Sequence, residues 1–229
     1  MRPWRQRLGP PLVVGGIIGP LLVTFFGSRL LLRPLGLLWS MIAAAFLAGA
    51  LLLGAIFLLP PAGTFRRKIL WHRPDRKELR LILAAWVAVL TGSAAITQAW
   101  QALLEFFRIP FEAEQTLVQM ARTADLPAFF QLLLLTAAAV PLAEELIFRR
   151  CLPELLSPLG PRAALVLGAF IFAAAHGFLL GLPGLFFIGL VLQIICNATR
   201  NLWCPILCHA MLNGTVLILV RAAARFTEG

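Results

Sequence analysis

Seven residues of this 229-residue chain stand out, Glu144, Glu145, Arg149, Phe172, His176, His209 and Asn213, because polar and ionisable types recur at helical spacing inside strongly apolar sequence. An ionised side chain in hydrocarbon costs several kcal/mol unless it is paired or hydrated, so such a group is a functional candidate by default. Glu145 and Arg149 are four apart and share one helix face, as do Phe172 and His176, and His209 and Asn213. A carboxylate and an imidazole can activate water. An imidazole and a carboxamide can donate hydrogen bonds to a developing oxyanion. Glu144, His176 and His209 are also the side-chain types that ligate zinc with water in the fourth position. The chain has no His-Glu-x-x-His, which excludes a zincin. Glu145–Arg149 taken alone reads equally as a structural ion pair.

The elements that position these residues must be helices in a membrane. The chain is 60% hydrophobic and 13% charged, with mean hydropathy +0.89, which is too apolar for one water-soluble core. Apolar runs of spanning length recur, and no alternating strand pattern appears. The expectation is an all-α, polytopic transmembrane bundle of seven to eight helices, a single domain over 1–229 with the motifs in 126–220. The spans are expected at Pro11–Leu32, Leu37–Leu59, Leu79–Leu104, Pro127–Leu156, Arg162–Phe178, Leu182–Ile195 and Leu202–Val220. Between the third and fourth, Phe106 to Asp125 reads as a short interfacial amphipathic helix with an apolar edge of Phe107, Phe111, Leu117, Val118 and Met120.

The net charge of +10 does not point to nucleic acid, since the positives fall between spans. Fourteen Lys and Arg, Arg149 and the seven of a basic loop expected over Phe65–Arg80 among them, are counted on the side of the N-terminus and six, including Arg221, on the other, which places the N-terminus inside by positive-inside sorting. Met1 to Arg7 precede a first span that lacks a cleavage site and is read as retained. Trp4, Trp39, Trp71, Trp100 and Trp203 fall near span ends as interfacial anchors, and Trp86 falls inside a span as a packing residue. Cys151, Cys196, Cys204 and Cys208 read as helix-packing thiols, with no disulfide spacing; a soft metal site at Cys204 and Cys208 is the rarer reading. His72 reads as solvated.

Treating successive spans as hairpins brings the three fragments to one depth. A turn over Ser157–Pro161 sets Glu144 opposite Ala174, and later turns carry His176 and His209 to the same layer. A single site is expected there, below the cytoplasmic helix ends.

At Glu144-Glu145-x-x-x-Arg149, Phe172-x-x-x-His176 and His209-x-x-x-Asn213 the chain resembles the CAAX-protease and bacteriocin-processing (CPBP, or Abi) family of intramembrane endopeptidases. The resemblance covers Leu126 to Val220. It implies hydrolysis of a peptide bond in a membrane-associated peptide or protein substrate. Glu144 and His176 would activate water, His209 and Asn213 would stabilise the oxyanion, and Glu145, Arg149 and Phe172 would orient the site. A metal-free mechanism is the expectation and zinc on Glu144, His176 and His209 the alternative, because both need the same side chains. The partners implied are the lipid bilayer and the substrate, without nucleic acid. Low Lys with high Arg, Leu and Ala points to a bacterial source and an inner-membrane location. The rival readings are a non-proteolytic membrane scaffold or bacteriocin-immunity protein of the same fold, and a transporter, whose internal symmetry is missing.

Overall fold

A computed structural model describes residues 71–111 and 116–227. The expected spans Pro11–Leu32 and Leu37–Leu59 and much of the basic segment lie outside the described residues. What is described is helical. Helix α1, Arg76–Phe106, starts at a capping box: Asp75 Oδ1 accepts from the backbone N–H groups of Lys77 (2.7 Å) and Glu78 (2.8 Å), and Glu78 Oε2 accepts from Asp75 N–H (2.9 Å). The Glu78 N–H, more than any other group, holds the Asp75 carboxyl below its ordinary value. Arg76, Lys77 and Arg80 are therefore helical, where a loop was expected.

The expected interfacial helix is shorter than its segment. Phe106 closes α1, Arg108 has a left-handed φ of 54°, and α2 covers Thr116–Thr123. Its Met120 and Ala121 pack against Phe129, Leu132 and Leu217, an apolar cluster inside the protein. Helix α3, Leu126–Leu134, follows at once, capped by Asp125 with Pro127 in its first turn.

From α3 the chain continues as one axis with two wide turns: a π segment at Leu135–Ala139, α4 at Val140–Glu145, a second π segment at Leu146–Cys151 and α5 at Leu152–Leu156. Each π segment ends two residues before a proline, Pro141 or Pro153. Proline has no N–H for the carbonyl four residues back and its ring crowds that carbonyl, so the preceding turn widens. A short 3₁₀ turn at Ser157–Leu159 leads to α6 at Pro161–Ala175, then α7 at Leu182–Thr199 and α8 at Trp203–Thr227.

Four described helical stretches, Arg76–Phe106, Leu126–Cys151, Leu182–Thr199 and Trp203–Phe226, are long and apolar enough to cross a membrane; Pro161–Ala175 is shorter. The chain is an integral membrane protein of all-α architecture. Seven or eight spans are not reached among the described residues. Helix α7 packs on both α6 and α1. Two glycines permit that approach. A Cβ on Gly184 would lie 2.4 Å from Thr97 Oγ1, and one on Gly189 would lie 3.1 Å from the Ala169 Cα. The core joins Ile82 and Val89 of α1 with Ile147, Phe148, Phe172, Leu192 and Leu212. Cys151, Cys204 and Cys208 pack in it as buried free thiols, and Cys196 is buried beside Leu202 and Ile206. Leu83, Val87, Phe130, Leu134 and Ile218 point outward, as a lipid-facing surface requires.

His72 is not simply solvated. Asn201, fully buried, donates through Nδ2 to the His72 carbonyl (3.0 Å) and accepts from Trp203 N–H (3.2 Å), fastening the segment before α1 to the turn before α8. Trp71 and Trp203 meet edge to face there, 5.6 Å between centroids, and Trp86 packs against the core as expected.

Candidate active site

Glu144, His176, His209 and Asn213 line one cavity of about 280 Å³, together with Thr136, Phe172 and Val118. The shared layer expected from the hairpin alignment is a shared cavity. Glu144 and Glu145 end α4, and the imidazole of His209, from α8, lies against both. Its Nδ1 is 2.8 Å from Glu145 Oε1 and its Nε2 is 3.9 Å from Glu144 Oε2. An ionised carboxylate only accepts, so Nδ1 carries the proton and donates to Glu145. The other oxygen of Glu145, Oε2, accepts from Arg149 Nε at 2.7 Å. Glu145 and Arg149 are buried, at 0% and 1% exposure, and His209 at 4%. The result is a chain of charge-assisted hydrogen bonds, Arg149 to Glu145 to His209, that fixes the imidazole's tautomer and plane.

Glu145 was expected, with Arg149, to orient its own helix and carboxylates; it pairs with Arg149 and in addition holds a histidine 64 residues away. Arg149 was counted among loop cations, whereas it lies within a candidate span and is buried. Glu144 is the carboxylate left open to chemistry. Its side chain is 25% exposed, and its buried Oε2 has no hydrogen-bond partner.

His176 was expected within a span and instead caps the C-terminus of α6, where Gly177 takes the left-handed φ of 61° that ends the helix. Its Nδ1 donates to the Phe172 carbonyl at 2.8 Å, which leaves Nε2 of the neutral ring as an acceptor. Phe172 is fully buried. Its ring is met edge-on by Phe148, His176 and His209 at 5.1, 4.9 and 5.9 Å, and the Arg149 guanidinium lies 5.1 Å from its centroid. One aromatic ring thus spaces both histidines and the arginine.

Asn213 Nδ2 donates to the Thr136 carbonyl at 3.0 Å, in the first π segment. That bond uses one of the two amide hydrogens and aims the group. Thr136 had no signal in the sequence, since a backbone carbonyl is the same for every residue type. Among the described residues, no group of three His, Cys, Asp or Glu side chains is arranged to hold a metal ion, including Glu144, His176 and His209 as they stand.

An open carboxylate, two oriented imidazoles and an aimed carboxamide thus meet in one cavity inside a helical membrane bundle. Residues 126–215 match the sequence model of a family described as Type II CAAX prenyl endopeptidase Rce1-like. The match bears out the resemblance read from the three motifs, and all seven residues lie within it. No curated protein and no solved structure matches the chain.

Proposed function

We propose that the protein is an intramembrane endopeptidase of the CAAX-protease type, hydrolysing a peptide bond with water held by Glu144 and His176. The observation that carries this reading is the unpartnered Glu144 Oε2 in the same cavity as His176, His209 and Asn213. Glu144 and His176 Nε2 both accept from a water. Glu144 takes its proton as the oxygen bonds to the scissile carbonyl carbon. The carbonyl oxygen becomes an oxyanion facing His209 Nε2 and the second Asn213 N–H. The His209 ring, held through Nδ1 by Glu145 and behind it Arg149, presents Nε2 to that oxygen and donates to it when both ring nitrogens carry protons. The C–N bond then breaks, and Glu144 returns its proton to the leaving amine. No metal is needed for these steps; zinc stays the alternative, decided by metal content against turnover. The substrate is a peptide or protein at the bilayer, which the apolar walls of the cavity favour.

Glu144→Gln keeps shape and hydrogen bonding and removes the proton acceptor. Turnover of a lipidated peptide by the solubilised, folded variant should fall at least ~10²-fold. Near-wild-type turnover would remove Glu144 from this role.

We also place the N-terminus inside, at a bacterial inner membrane, on the Lys and Arg asymmetry. Arg149 no longer counts toward it, and the excess persists without it. All four native thiols are buried. A Ser157→Cys protein should therefore react with an impermeant thiol reagent from the cytoplasmic face alone, and reaction from outside inverts the topology.

A further inference from the structure

A second cavity, of about 340 Å³, lies between the turn after α5, the start of α6 and the end of α7, and shares no lining residue with the catalytic one. Arg149 lines it. The Arg149 Nε is committed to Glu145, but Nη1 and Nη2 are buried and have no hydrogen-bond partner. Leaving two buried guanidinium NH2 groups unmatched is costly, and the fork geometry suits the oxygens of one oxyanion.

Three further features of this wall act in the same direction. Helix α6 begins at Pro161 without a side-chain cap, so the positive end of its dipole faces the cavity. Arg200, exposed and in the left-handed conformation at the end of α7, supplies a second cation at the rim. Gln193 donates to Asn197 Oδ1 at 3.1 Å, which leaves the Asn197 amide as a polar donor on the same wall. None of the described side chains lining the cavity is acidic.

We propose that this cavity is a binding site for a phosphate group, carried by an acidic lipid headgroup or present as the free anion. Its position at the ends of candidate spans, where Leu126–Cys151 and Leu182–Thr199 stop, is headgroup depth, and its apolar wall of Pro153, Pro161 and Leu165 accommodates the adjoining glycerol. A bound phosphate satisfies the Arg149 Nη groups from the side opposite Glu145. It thereby steadies the guanidinium that holds the carboxylate behind His209.

The test is thermal unfolding of the full chain in neutral detergent, a readout independent of peptidase activity. The probes are short-chain phosphatidylglycerol, short-chain phosphatidylcholine, inorganic phosphate, and a lipidated peptide with a free or amidated C-terminus. Phosphatidylglycerol is expected to raise the midpoint by several degrees beyond phosphatidylcholine. That rise should shrink in Arg200→Gln, which removes the rim cation, and in Ala164→Phe, which fills the cavity. If inorganic phosphate gives the same variant-sensitive rise, the site is confirmed with the free anion as its ligand. Equal shifts with the two lipids, a phosphatidylglycerol shift unchanged in Arg200→Gln, or a shift with the free-acid peptide alone would each overturn the proposal.

Discussion

Arg149 and Arg221 present the same side chain in two settings. Each guanidinium lies over a phenylalanine ring, at 5.1 Å from Phe172 and 5.4 Å from Phe129. Arg149 pairs with a carboxylate that in turn holds His209. Arg221 instead gives Nη1 to backbone carbonyls at the end of α2 and beyond: Ala121 (3.3 Å), Arg122 (3.1 Å) and Ala124. Those carbonyls are the orphan acceptors of a helix C-terminus, where a cation is favoured. One arginine fixes the direction of a proton-bearing ring; the other pins a short helix against α8. What an arginine over an aromatic ring can do thus depends on whether its acceptor is charged and what that acceptor holds in turn.

The largest effect is expected from Arg149→Leu. It strands the Glu145 carboxylate, and breaking a buried pair by removing one partner costs about 3–5 kcal/mol. Unfolding in detergent should show that loss, and turnover of the surviving folded protein should fall as His209 loses its fixed partner. A folded, fully active Arg149→Leu protein would reduce Arg149 to the architectural kind.

Next come His209→Ala and Asn213→Ala. Each should lower turnover by roughly 10²–10³ if both donate to the oxyanion. The double variant should lose less than the product, with substrate binding little changed, as groups serving one charge do. Fully multiplicative losses would separate the two residues. If His209 is a zinc ligand, His209→Ala should instead empty the protein of metal.

The smallest effect is expected from Arg221→Leu. Loss of charged hydrogen bonds to carbonyls should cost about 1.5–3 kcal/mol of stability. Turnover per folded molecule should be retained. Its abolition in a folded protein would tie α2, whose Val118 lines the cavity of the candidate site, to the chemistry and dissolve the contrast.

The sequence made the four cavity residues legible because ionisable groups in an apolar run are costly, and three motifs with two turn signals bring them to one depth. The link between Glu145 and His209 was not legible. Within one helix the visible partner of Glu145 is Arg149, and nothing local encodes a ring arriving from 64 residues on. The C-terminal position of His176 was available in principle, since glycine just past a helical run is a stop signal, and Gly177 is that residue. Pro141 and Pro153 were equally visible, but a proline inside an apolar run announces a disturbance without saying whether the chain kinks, stops or widens. Arg221 was read as a cation outside a span, which accounts for its charge and misses its acceptors.

The two π segments carry a consequence for anyone transplanting this motif. Each wide turn is in effect an α-helix with one residue inserted, and each residue advances the azimuth by about 100°. A helical wheel drawn straight through Leu126–Leu156 thus falls out of phase twice, once before Glu144 and once around Arg149. Copied onto an uninterrupted helix, the same letters would keep their spacing and lose their bearing, with the glutamates aligned to one face and the lipid-facing leucines rotated toward another. The unit that encodes the site is the motif together with the proline that follows each wide turn.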